Sequence, residues 1–257
     1  MAVYTTEITS DQIPSDNPIH QRLLHAYYEA IPFISGDLLE LGCGEGRGIE
    51  QIAPLAKSFL GLDKIEDVIS TLRKKYPNYQ FESSTFPPIK LPDNSFDTIV
   101  SFQVIEHIKD DSLYLKEIYR ILKPGGKALI TTPNILMSLS RNPWHEREYT
   151  AQQLEELAGN YFDHVDMKGI AGNDKVIKYH ERNRESVQRI MKYDILKLQY
   201  RLPTSILRVP YDLMNRLNRN SLKKEADDLV LSITHEDYFL TEKDDGNLDL
   251  FCILGKH

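Results

Sequence analysis

Apolar positions along this chain alternate between two periods. Asp16, Asn17 and Pro18 are helix-start residues, and IHQRLLHAYYEAI follows with apolar positions at helical spacing. A short apolar strand, DLLEL, then runs straight into the glycines of GCGEGRG. The pattern predicts a helix from Ile49 to Lys57, a strand over FLGLD (Phe59 to Asp63), a helix from Asp67 to Tyr76 and a third strand in YQFESS. A fourth strand is predicted over Phe96 to Phe102, with β-branched residues in its middle. Ser112 to Leu122 reads as a helix stopped by Lys-Pro-Gly-Gly, followed by KALITTP as a fifth strand. Thr150 caps a helix in TAQQLEELAGNY, HVDMKGIAG is a sixth strand, and the C-terminal LDLFCILGK is a seventh. Short, continuously apolar strands alternating with helices describe an α/β fold, a mostly parallel sheet covered on both faces.

One stretch breaks the alternation. From Lys175 to Lys224 there are thirteen Lys and Arg against four acids, a net of +9 in a chain whose total is −7, which leaves −16 for the rest. Val187, Ile190, Met191, Ile195 and Leu198 share one helical face, and Leu213, Met214 and Leu217 share another after Pro210, which is placed to open a helix. The expected organisation is a core over 1–174, a basic helical insertion over 175–228 and a C-terminal return to the sheet over 229–257.

Composition narrows the classes. The chain has 257 residues, 41% of them hydrophobic and 27% charged, which suits a folded α/β domain and excludes disorder as the overall state. An overall charge of −7 excludes a general nucleic-acid coat, because the phosphate backbone would repel it. Cys43 and Cys252 are far apart and have no Cys or His partners at metal-binding spacing, so neither a zinc site nor a disulfide framework is expected. No signal peptide pattern or bilayer-length apolar run is present, and the expected location is cytoplasmic.

The chemistry concentrates after the first strand. Gly42, Gly44 and Gly46 sit where the backbone must turn from strand to helix and admit a ligand without a Cβ in the way. Arg47 occupies the position where the dinucleotide fingerprint requires its third glycine, so a nicotinamide-dependent oxidoreductase is a poor fit. Asp63 ends the second strand. An ionised acid there offers two oxygens to the paired hydroxyls of a ribose.

In order and at usual separations, LLELGCGEGRG, FLGLD, LPDNSFDTIVSFQVIEHI, EIYRILKPGG and ITTPN resemble the class I S-adenosylmethionine-dependent methyltransferases. The likeness is greatest to the small bacterial group that includes quinone and sugar methyltransferases, and it covers roughly positions 37–134. It implies a Rossmann-like, seven-stranded, mostly parallel sheet with helices on both faces and S-adenosyl-L-methionine as cofactor. It places Glu40 to Gly46, Cys43 included, around the methionine part, with Glu40 helping to hold the amino group. Asp63 takes the ribose hydroxyls, and Lys64 and Ile65 flank the adenine. Relatives often carry an acid after the third strand for the adenine amino group. Here Ser84-Thr85-Phe86 stands in its place, so a hydroxyl or carbonyl of Thr85 and Phe86 must serve. Phe102 and Gln103 line the cofactor, and Gln103 replaces a Glu that would favour a metal, so no metal is expected.

Catalytic candidates are fewer. His107 is either a general base for a hydroxyl or amine nucleophile, or a structural residue packing beside the cofactor. NPWHEREYT (Asn142 to Thr150) is dense in functional groups and holds the only Trp. His145 is a second candidate base there and Tyr149 a residue that orients substrate, set against a reading as a helix-entry segment. Tyr27 and Tyr28 are candidates to cover the cofactor, although helix packing explains them as well. The basic insertion reads as a solvated face, a lid over a substrate pocket, or a peripheral docking surface for anionic lipid, and no nucleic-acid partner is expected. The function expected is methyl transfer to an oxygen or nitrogen of a small-molecule acceptor. The alternatives are a lipid-linked quinone or glycan acceptor at a membrane surface, and a non-catalytic S-adenosylmethionine-binding regulatory protein.

Overall fold

The structure, a computed structural model, describes residues 13–192, 202–225 and 227–257. Ile195 and Leu198, assigned above to a helical face, lie outside those residues. The strands are β1 (Asp37–Leu41), β2 (Ser58–Asp63), β3 (Gln80–Ser83), β4 (Phe96–Phe102), β5 (Leu122–Pro133), β6 (His164–Gly172), β7 (Tyr238–Glu242) and β8 (Asp249–Gly255). They form one sheet in the order β3-β2-β1-β4-β5-β8-β6-β7. The run from β3 to β5 is parallel, and β8 enters antiparallel between β5 and β6. Leu39 lies opposite Leu60 on one side and Ile99 on the other, so β1 is central and its residues from Leu38 on are buried. A strand enclosed on both faces has no solvent side to mark with polar residues, which is why β1, β2 and β4 read as continuous apolar runs.

The helices are α1 (Asn17–Ala30), α2 (Ile49–Ile52), α3 (Glu66–Lys75), α4 (Asp111–Ile121), α5 (Ala151–Gly159), α6 (Asp174–Met191), α7 (Thr204–Glu225) and α8 (Asp227–Ser232). The buried face of α4 (Tyr114, Leu115, Ile118, Ile121) joins Leu39, Ile99 and Ile130 of the sheet in the main apolar cluster. Thr150 caps α5 as expected, with Gln153 completing a reciprocal capping box.

Four expectations change. The sheet has eight strands rather than seven, because Tyr238–Glu242 adds β7 at its edge. An edge strand of five residues with only its first residue buried carries too little apolar signal to be read from sequence. The helix expected to run to Lys57 stops at Ile52 and tightens into a 3-10 turn over Ala53–Leu55, where Pro54 has no N–H to continue the ladder. β5 begins at Leu122, ahead of the Lys-Pro-Gly-Gly expected to precede it, and pairs with Phe96 across a shift in register. Pro210 does not open a helix but lies inside α7. It is exposed, and having no N–H it leaves out one bond of the helical ladder.

The chain divides into two compact units. One comprises Ala26–Met137, Arg147–Ala171 and Leu240–His257 and is built on the sheet; the other comprises Met1–His25, Ser138–Glu146 and Gly172–Phe239. Within the second, the buried carboxylate of Asp16 accepts from Arg216 at 2.8 Å and Arg219 at 3.1 Å. The Asn17 amide donates to the carbonyls of Val230 and Ile233.

Candidate functional site

The carboxyl ends of β1, β2 and β4 gather the groups singled out by sequence in the sheet unit. β1 ends in Leu41, and Gly42 and Cys43 then donate their N–H groups to the Leu62 carbonyl at 2.7 and 3.0 Å, tying the glycine turn to β2. Gly42 and Gly44 both adopt positive φ, +76° and +49°. A Cβ on Gly42 would fall 2.4 Å from Val104, whereas one on Gly44 would meet nothing within 4 Å. Gly42 therefore serves the turn, while the backbone at Gly44 faces open space a ligand can approach. Cys43 is buried against β2, and burial, with Glu40 and Asp63 near it, pushes its thiol pKa up, which removes it as a nucleophile.

Asp63 is buried at the end of β2. Its Oδ2 accepts from the Gly44 N–H and its Oδ1 from the Ile65 N–H, both at 2.9 Å. Each oxygen keeps a second lone pair, so the carboxylate is fixed in place yet able to accept two further donors. Lys64 beside it is exposed and Ile65 half-buried. The Asp63 carbonyl takes the N–H of Ser84 at 2.8 Å, which holds the segment after β3 against β2. A cavity of about 410 Å³ opens there, lined by Leu62, Glu82 to Thr85, Lys90 and Leu91. Thr85 lies in its wall; Phe86 does not, and stacks on Tyr114 with ring centroids 5.7 Å apart.

Glu40 is 1% exposed. The Tyr27 hydroxyl donates to its Oε1 at 2.7 Å, while its Oε2 is buried without a partner. Burial is the main cause that raises the carboxyl pKa to about 7, Asp63 adds to it, and Tyr27 and Arg47 oppose it. The ring of Tyr27 packs edge-on to Phe102 at 4.9 Å. Phe102 is buried between Tyr27 and Phe251. Gln103, the next residue, has φ +58°, a conformation that costs a residue with a side chain about 1 kcal/mol or more. It is held there by Thr131, whose carbonyl accepts the Gln103 N–H at 2.9 Å and whose hydroxyl accepts the side-chain amide at 3.3 Å. Gln103 is half-buried at the strand end.

The catalytic candidates are distributed over both compact units. His107 belongs to the sheet unit, in a 3-10 turn after β4, half-buried. His145 belongs to the other unit, with Nε2 2.8 Å from the Asn142 amide. Tyr149 is 2% exposed, and its hydroxyl donates to Asp111 at 2.7 Å. The same carboxylate binds Arg147. The helix-entry reading of Tyr149 therefore accounts for its hydroxyl, which is committed inside the fold. Asp111 and Tyr27 were not singled out as partners in the sequence. Asp111 reads as an ordinary first-turn acid, and the Tyr27–Glu40 bond joins two elements with no local pattern in common.

Residues 39–130 match the model of a methyltransferase domain. That stretch carries a methyltransferase domain of the S-adenosylmethionine-dependent kind. The chain is 40% identical over 144 residues to a probable S-adenosylmethionine-dependent methyltransferase of Mycolicibacterium smegmatis, a match covering 54% of each chain. It is 30% identical over 116 residues, 44% of each chain, to the ubiquinone biosynthesis O-methyltransferase of Dinoroseobacter shibae. Among solved structures, a possible histamine N-methyltransferase from Thermotoga maritima shares the fold with a TM-score of 0.60 at 17% identity, over 95% of this chain and 91% of that one. The matches span about half the length of the curated relatives.

The cofactor of this family is S-adenosyl-L-methionine, a molecule with an ammonium at one end and a ribose diol and adenine at the other. The residues at the carboxyl ends of β1 and β2 suit such a molecule on three counts. The buried, unpartnered Oε2 of Glu40 lacks a donor, the backbone at Gly44 is open, and Asp63 is anchored with acceptor capacity in reserve.

Proposed function

We propose that this protein transfers the sulfonium methyl of S-adenosylmethionine to an oxygen or nitrogen of a small-molecule acceptor. The observation that carries this reading is the orphaned Glu40 Oε2 beside an open glycine turn, with the Asp63 carboxylate anchored to the same turn. A buried acceptor without a donor is costly, and a ligand ammonium relieves that cost. Glu40 would hold the amino group, Asp63 the ribose hydroxyls, and the cavity wall at Ser84 and Thr85 the adenine edge.

When bound, the cofactor supplies a methyl carbon already attached to a good leaving group. The acceptor's lone pair would take that carbon and the thioether would leave neutral, with Glu40 and Asp63 holding the two ends of the molecule in place. What remains for the chain is to align the nucleophile, exclude water and take up the proton that the acceptor sheds. His107 and His145 are the candidate proton acceptors. Tyr149 is assigned a supporting role instead, holding the segment that follows β5 through Asp111.

The test is label transfer from methyl-labelled S-adenosylmethionine into a host cell extract, split afterwards into organic, small aqueous and macromolecular phases. Label among small aqueous molecules supports the reading. Label in the organic phase moves the acceptor to a lipid-linked compound. A protein that binds the cofactor but labels nothing is the non-catalytic regulator instead.

A further inference from the structure

α7 is amphipathic in the reverse sense. Its polar residues face the rest of its own unit: Arg208 stacks on Trp144 at 4.3 Å, Asp212 accepts from the Trp144 indole at 2.9 Å, and Arg216 and Arg219 pair with Asp16. Asn218 is buried and bonds to Ser186 and Asn183 of α6. The opposite face is Ile206, Val209, Pro210, Leu213, Met214 and Leu217, all exposed, with Val209 at 76%. Those positions recur at helical spacing over three turns, and none of them is charged. A surface helix ordinarily turns such a stripe inward. A contiguous apolar face left in water marks an interaction surface.

Charge selects the occupant. The face lies in the 175–224 segment of net +9, whereas the rest of the chain carries −16. Lys224 extends the stripe at its C-terminal end, and Lys178, Arg182 and Arg184 of α6 are exposed in the same unit. A second copy would bring two +9 segments together. A stripe of six side chains over three turns also offers less than the roughly 800 Å² per partner that a stable dimer buries. An apolar helical face carried on a basic segment matches a helix lying in the plane of an anionic lipid surface. We propose that α7 docks this protein on anionic membranes, with its apolar face in the acyl boundary and the basic residues around it over the headgroups. Among the described residues no helix is long and apolar enough to cross a membrane, so the docking is peripheral. The inference rests on α7 and its charges and does not depend on methyl transfer.

The chain's one Trp reports on it, because Trp144 touches the inner face of α7. The full-length protein is mixed with vesicles of phosphatidylcholine, with and without phosphatidylglycerol, and followed by co-sedimentation and Trp144 fluorescence. Partition onto anionic vesicles is expected to exceed that onto neutral ones by about ten-fold or more and to fall with added salt. Val209→Ser with Leu213→Ser, both at exposed positions, is expected to weaken it by about ten-fold. Lys178→Glu with Arg182→Glu is expected to weaken only the anionic preference. No sedimentation with anionic vesicles, or equal binding by the serine variant, overturns the proposal. So does a wild type that dimerises through this face, with the serine variant monomeric and neither binding vesicles.

Discussion

At the residue scale, two carboxylates carry the account and differ in how they are held. Asp63 spends one lone pair on each oxygen to fix its position and keeps acceptor capacity in reserve. Asp63→Ala is expected to weaken S-adenosylmethionine binding by about 2 kcal/mol, roughly thirty-fold, as hydroxyls lose a charged partner. Glu40 is only half satisfied, and its folded pKa of about 7 stands above the ordinary glutamate value of 4.5. The folded state therefore binds a proton that the unfolded state releases between those values. Stability from Glu40 is complete below pH 4.5 and is lost as pH rises through 7, by about 3 kcal/mol in all. An ammonium on Oε2 favours the charged form, so cofactor binding near pH 7 should release a proton. Titration calorimetry in two buffers of different ionisation enthalpy measures that release, and Glu40→Gln should abolish it. Equal proton release by the variant would remove Glu40 from the site. Gly42→Ala should cost about 1–3 kcal/mol in chemical denaturation, since its φ is +76° and the added Cβ meets Val104.

At the element scale, the parts legible in the sequence are those that enclosure on two faces makes apolar. β4 was read as Phe96 to Phe102 and β6 as His164 to Gly172, and both have those bounds in the structure. The capping residue of α5 was likewise local and was read correctly. β7 was missed because an edge strand needs few apolar residues, and α7 was started too late because an exposed Pro is tolerated where a buried one is not. Asp63 and the glycines announced themselves by spacing. The Tyr27–Glu40 and Tyr149–Asp111 bonds did not, since each joins residues whose proximity the sheet creates. The sequence left the apolar stripes of the insertion open among a solvated face, a lid and a docking surface, and the structure leaves the stripe of α7 exposed. The polar inner face of α7 has its own prediction. Asp212→Ala should remove the Trp144 indole bond, cost about 1 kcal/mol in thermal unfolding, and shift Trp144 emission. An unshifted emission would mean that α7 does not hold the Trp144 segment.

For the whole molecule, the buried histidines of one unit and the buried Glu40 of the other are expected to respond to pH in opposite directions. His25 and His180 of the helical unit are lowered from 6.5 to about 4, chiefly by burial. The unfolded state takes up protons before these residues do, so their contribution is complete above 6.5 and is lost as pH falls toward 4. The sheet unit gains from Glu40 over much of the same fall. Hydrogen exchange followed across pH 7.5 to 4.5 should show the helical unit opening first, and His25→Gln with His180→Gln should flatten its trend. Uniform protection of both units at pH 4.5 would contradict this. Charge is concentrated in one segment, with +9 over 175–224 and −16 elsewhere, and the proposed lipid contact rests on that asymmetry in a chain that is acidic as a whole. The central claim remains the cofactor site, and titration of S-adenosylmethionine into the wild type and Asp63→Ala tests it most directly. Saturable binding at one site, weakened about thirty-fold by the substitution, is the predicted result. No binding by the wild type, or equal affinity in the variant, would contradict it.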